Sequence, residues 1–240
     1  MTAKALARMT TQTSARALVA EALGTALLVA TVIGSAQMAA SLTPDHGLLL
    51  LANAGATGAI LYVLITILAP LSGAHFNPLV SLVMALRRDM PWQSFGPYVV
   101  AQTAGALAGM LLAHAMFGLP LLQISTIPRG GLGQNLAEGI ATFGLILTIL
   151  GGIASRSNVA ALVASYIAAA YWFTSSTSFA NPVMLLARAL TNTPSGIIPS
   201  ATPGFLLAEL VGAALAAGLG LWLFKPLADP AQGGRTVSSG

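Results

Sequence analysis

Apolar positions in this chain neither alternate nor form a helical stripe; they come in long runs broken by short polar stretches. A bilayer core about 30 Å thick asks for about 20 such residues per spanning helix. Six runs qualify: Ala17 to Met38, Leu48 to Leu68, Gly96 to Phe117, Leu136 to Ala154, Val159 to Thr174 and Phe205 to Phe224. The fifth is the hardest to bound, because its polar end TSSTS blurs the helix terminus. Two shorter stretches, Asn77 to Leu86 and Asn181 to Leu190, would each make a helix of about 15 Å and cross half a membrane.

Composition agrees with a membrane solvent: 56% of the 240 residues are hydrophobic and 7% are charged, against about 25% charged in soluble domains. The net charge of +4 comes from ten Lys and Arg against six acids. No basic cluster exceeds Arg87-Arg88, so no nucleic-acid partner is expected. Without cysteine there is no disulfide framework and no thiolate metal ligand. Lys4, Arg8 and Arg16 precede an apolar run ending in GSAQMAA, which raises a cleaved signal peptide. That run is too long for a signal peptide's apolar region, is interrupted by Glu21 and has a later counterpart, so it reads as a retained first span.

Placing the N-terminus in the cytoplasm puts Lys4, Arg8, Arg16, Arg87, Arg88, Arg156, Lys225 and Arg235 inside and Arg129 and Arg188 outside. Eight against two satisfies the positive-inside rule, with residues 1–15 and 226–240 as cytoplasmic tails. The two half-length stretches then enter from opposite sides. An internal repeat supports this plan. VAEALGTALLVATVIG from Val19 aligns with LAEGIATFGLILTILG from Leu136, keeping Ala-Glu and a Thr four residues later. AQTAGALAG from Ala101 likewise resembles AELVGAALA from Ala208. Three spans per half, an odd number, orient the repeats about 17–117 and 136–224 oppositely in the membrane.

Each half-length stretch opens on Asn-Pro, in HFNP and FANP. Asn is a preferred N-cap, and proline fits the first helical turn because its missing N–H had no partner there. Irregular backbone at membrane depth is tolerated only inside protein or beside a water-filled cavity. The loops before Asn77 and Asn181 are therefore expected to line a pore, where two helix N-termini and two side-chain amides disfavour cations and offer donors to neutral molecules.

These marks, SGAHFNP with Asn77 and Pro78, FANP with Asn181 and Pro182, and Ala-Glu early in spans one and four, resemble the aquaporin or major intrinsic protein family over essentially the full chain. The resemblance implies an all-α membrane fold of six spans and two re-entrant half-helices, in a single channel domain assembled as a homotetramer. The family signature is Asn-Pro-Ala. Here Leu79 and Val183 follow the prolines and are expected to reshape the central constriction.

By the same resemblance, an outer selectivity filter falls on Thr57, Ala169, Ser178 and Met184, at fixed offsets from the Asn residues. Water- and glycerol-selective relatives generally carry Arg where this chain has Met184. The expectation is a wide, uncharged filter; the alternative is that Arg188, about 6 Å further along the half-helix, swings in to restore the charge. A wide neutral filter implies small uncharged solutes: glycerol-like polyols, arsenous acid, methylated arsenicals and some water. The location implied is a bacterial inner membrane. No cofactor or metal is called for.

Glu21 and Glu138 occupy equivalent repeat positions and are expected to brace the re-entrant loops rather than carry protons. His75 is expected to satisfy loop backbone, and Glu209, with its counterpart Gln102, to serve packing or the cytoplasmic interface. His46 and His114 have no ligand partners at metal spacing. The small-residue runs AGALAG and GAALAAG read as close helix packing. A gradient-coupled transporter also uses inverted repeats, but beyond Glu21 and Glu138 no spare acid pair offers an ion-coupling site. A water-selective pore is the other alternative, and an enzyme lacks a visible nucleophile, base or metal set.

Overall fold

The computed structural model describes residues 13–224. The expected tails lie largely outside these residues, as do Lys4, Arg8, Lys225 and Arg235. Eight α-helices follow in order among the described residues: α1 (Ala15–Leu42), α2 (His46–Ser72), α3 (Pro78–Leu86), α4 (Trp92–Met116), α5 (Leu132–Ala154), α6 (Val159–Phe173), α7 (Pro182–Ala189) and α8 (Thr202–Leu223). A single 3-10 turn, Pro199–Ala201, leads into α8. Five helices are long and apolar enough to cross a membrane, while α6, with 15 residues, is shorter.

Local chemistry sets the helix starts. Ser14, Asp45 and Asn158 each accept a backbone N–H of the first turn of α1, α2 and α6. Several helices outrun the apolar segments that predict them, because a helix needs apolar residues only across the hydrocarbon core and can extend into the interface. Thus α2 continues through Pro70 and stops at Gly73, whose φ of 88° breaks the helical path.

The outer face of the bundle is apolar. Val19, Leu207 and Trp222 are 64%, 64% and 70% exposed, as lipid contact requires. Inside, α1 packs along α4 and α5 along α8. A side chain at Gly105 or Gly109 would run into the carbonyls of Ala22 or Ala26, and one at Gly212 into that of Gly139. These glycines of the small-residue runs let the two pairs approach at backbone distance. The half-helices α3 and α7 touch each other, and each also packs against α4 and α8. The six longer helices therefore form a wall around two stubs meeting near its middle.

Candidate functional site

Both stubs begin as their sequences predict. Asn77 and Asn181 are N-caps whose Oδ1 atoms accept from the backbone N–H of Leu79 and Val183 at 2.9 and 3.2 Å, with proline in the first turn. The backbone before each cap is left-handed at matching positions. Gly73, Ala74 and Phe76 have φ of 88°, 53° and 50°, and Thr177, Ser178 and Ala180 have 62°, 50° and 47°. Left-handed residues interrupt any helix or strand, so the loop cannot satisfy its own amides and needs outside acceptors.

Buried carboxylates supply them. Glu21 Oε1 accepts from the backbone N–H of His75 at 3.0 Å and the Ser72 hydroxyl at 2.6 Å. Its Oε2 accepts from Phe76 N–H at 2.7 Å and Gln102 Nε2 at 2.8 Å. In the second half Glu138 accepts from Phe179 N–H at 3.2 Å and from Ala180 N–H. Both glutamates are fully buried, and charge-assisted bonds of this kind are the stronger class. His75, expected to satisfy loop backbone, instead turns its ring to a side chain, with Nδ1 3.0 Å from the Ser81 hydroxyl.

The two turns are tied across the middle. Asn77 Nδ2 donates to the Ala180 carbonyl at 2.7 Å, and Asn181 Nδ2 donates to the Phe76 carbonyl at 2.8 Å. Each amide uses one N–H in this crossed pair and keeps a second for whatever occupies the space beside it. That space is a cavity of about 510 Å³ reaching from Arg87 and Asp89 at one end, past both Asn residues, to Arg188 at the other. Residues 73–76 and 178–180 line it, while Leu28, Leu61, Ile65, Leu145 and Ile149 face it with apolar side chains. One wall is thus a polar backbone track and the other is greasy.

The structure corrects four expectations. Leu79 and Val183 do not line this cavity; they are buried in the helix packing, and Val80 and Met184, the next residues, face the passage. Ala169 is exposed on the outside of α6. It lies two residues, about 200° of helical rotation, from Ile167. The cavity face of α6 is Val159, Val163, Ile167 and Tyr171, so Tyr171 stands where the resemblance placed Ala169, its hydroxyl 3.2 Å from Thr57 Oγ1. Thr57, Ser178 and Met184 do line the cavity.

Third, the outer end is not uncharged. Arg188, 2% exposed, lines the cavity one turn beyond Met184, with its guanidinium 3.4 Å from the Phe179 ring centroid and its Nε donating to the Ser195 carbonyl. The chain after α7 folds back and offers the Ser195 carbonyl as the anchor that holds Arg188 at this end, one turn beyond Met184. Fourth, Glu209 is neither simple packing nor at an interface: it is fully buried, and its Oε1 accepts from the Asn181 N–H at 3.0 Å. Gln102, its counterpart, links Glu21 to the Ser81 hydroxyl, 2.9 Å from Nε2.

The outer loops hold the second turn in place. Arg129 donates to the carbonyls of Gly196, Ser176 and Pro194. His114 bridges the Leu121 carbonyl and the Thr191 hydroxyl, each at 2.8 Å. Among the described residues no cluster of His, Cys, Asp or Glu could hold a metal ion.

A family model, Major intrinsic protein, matches residues 8–219. The chain is 59% identical over 212 residues to Aquaglyceroporin AqpS of Rhizobium meliloti (strain 1021), covering 88% of this chain and 91% of that protein. It is 35% identical over 104 residues to the glycerol uptake facilitator protein of Streptococcus pneumoniae, covering 38% of this chain and 44% of that one. The X-ray structure of the aquaglyceroporin from Plasmodium falciparum shares the fold, with a TM-score of 0.70 at 19% identity over 88% of this chain and 95% of that one. With two crossed Asn-Pro turns inside a ring of spanning helices and a family match over most of its length, the chain belongs to the major intrinsic protein family of membrane channels.

Proposed function

We propose that the chain passes small uncharged solutes of glycerol size down their own gradients, with some water. The observation that carries this reading is the crossed pair of Asn amides beside a single cavity reaching from Arg87 to Arg188. A polyol entering it exchanges water for the Asn N–H donors and the carbonyls of the left-handed loops, while its carbon side meets the apolar wall. An ion would lose its hydration without a full set of replacement ligands.

Solute size follows from the ring around Met184. The cation sits one turn further out at Arg188, so this ring is closed by a flexible thioether with Ser178, Thr57 and Tyr171 hydroxyls nearby. A neutral trihydroxylated solute such as glycerol or arsenous acid suits that mixture, and methylated arsenicals add only an apolar face. The name of the Rhizobium relative, an aquaglyceroporin, agrees with the polyol part of this reading. We take both termini as cytoplasmic, the membrane as a bacterial inner membrane and the assembly as a homotetramer, on charge distribution and family resemblance.

A flux panel of water, glycerol, urea and arsenous acid in vesicles of the purified protein tests the proposal. Glycerol and arsenous acid are expected to cross well above protein-free vesicles; water flux alone would leave an ordinary water pore and overturn the solute assignment.

A further inference from the structure

The Arg188 end of the cavity holds a charge with no carboxylate in ion-pair contact among the described residues. Arg188 Nε is anchored on the Ser195 carbonyl, no hydrogen bond from Nη1 or Nη2 is found among the described residues, and Arg188 lines the cavity. The one ion pair found among the described residues, Arg87 with Asp89, lies at the opposite end. Arg129 adds a second positive charge 5.5 Å from the same Phe179 ring that Arg188 covers, its own nitrogens already bound to carbonyls. The acid facing this region is Glu138 of α5, whose two oxygens are taken by the Phe179 and Ala180 amides. From α6, the Tyr171 hydroxyl turns to Thr57. Ser178 Oγ, on the same cavity lining, is buried and unpartnered.

A guanidinium does not give up its proton, and a buried cation without a counter-charge is costly. A solvent anion relieves that cost most cheaply, and a planar fork with two free ends matches two coplanar oxygens. We propose that this end of the cavity binds a small planar oxyanion, of which nitrate is the simplest probe, on Nη1 and Nη2 of Arg188, and that the bound anion obstructs the passage. The obstruction rests on the channel reading above; the binding does not. The site is thus an anion-sensitive stopper for a pathway that carries neutral molecules.

The test has two arms. Calorimetric titration of nitrate into the full chain in detergent is expected to give saturable binding that disappears in Arg188→Gln. In vesicles buffered with a bulky organic sulfonate, nitrate at constant ionic strength is expected to reduce wild-type glycerol flux with the same half-saturation, each variant being referred to its own nitrate-free rate. Should Arg188→Gln fail to fold, Arg188→Lys keeps the charge without the fork and is expected to weaken binding about tenfold. No saturable heat in the wild type, or equal binding in Arg188→Gln or Arg188→Lys, overturns the proposal. Saturable binding with unaltered flux overturns the obstruction, and absence of any nitrate-free solute flux overturns the channel reading instead.

Discussion

Around Asn77 a single carboxylate, Glu21, collects two loop amides, the Ser72 hydroxyl and the Gln102 amide, while Ser81 joins Gln102 to His75. Around Asn181 the same two loop amides go to Glu138, a third goes to Glu209, and two arginines gather on Phe179. The backbone shapes match position for position, yet the first half is braced by a mostly neutral network and the second by two acids and two guanidinium groups. The pathway demands left-handed loops with their amides pulled away from it. Any buried acceptor at the right depth meets that demand, so the remaining side chains of each half are free to differ, and the guanidinium groups of Arg129 and Arg188 gather beside the second turn.

Removing the shared element should have the largest effect. Glu21→Ala or Glu138→Ala leaves two buried amides without acceptors, and about 3 kcal/mol or more of stability should disappear together with solute flux. Detergent melting and vesicle flux check this; a folded, conducting variant would show that the loops hold themselves. Next come Asn77→Ala and Asn181→Ala, each cutting one strand of the crossed pair and one cap, at about 1–2 kcal/mol apiece. Nearly equal losses in melting would confirm that the tie is symmetric.

The halves should part company at Met184. Met184→Arg sets a second guanidinium one turn inside Arg188 and should slow glycerol and arsenous acid before water. Unchanged flux of the larger solutes would mean that this ring does not set size. A smaller effect is expected at Glu209→Gln, which copies the first half's Gln102 and should stay within about 1 kcal/mol of wild type; a loss as large as that of Glu138→Ala would make Glu209 an equal brace. Smallest of all, mercury salts should leave flux unchanged, since the chain has no cysteine.

Much of this was legible in the sequence because the membrane restricts the options. Run length gives the spans, and Asn-Pro gives the stub starts at Asn77 and Asn181, since cap and proline chemistry is local. The repeat pairs Glu21 with Glu138. What escaped depends on direction rather than spacing. Ala169 missed the pore by half a helical turn, and Tyr171, an aromatic on the apolar face shared with Val163 and Ile167, was the available signal. Spacing along α7 alone puts Arg188 beyond the filter, and its actual position depends on the returning chain at Ser195, which no local pattern encodes. Glu209 sat in plain view opposite Gln102; a buried acid in the slot of a buried amide called for a backbone donor, and Asn181 supplies it.

The central claim, that the two turns meet to leave a passive passage, is tested most directly by glycerol flux into vesicles of the purified chain over a wide concentration series, with proton and sodium gradients present or dissipated. The expected result is a rate well above protein-free vesicles that rises in proportion to the glycerol gradient and ignores both ions. Saturation at low glycerol, or collapse when either ion gradient is removed, would contradict it.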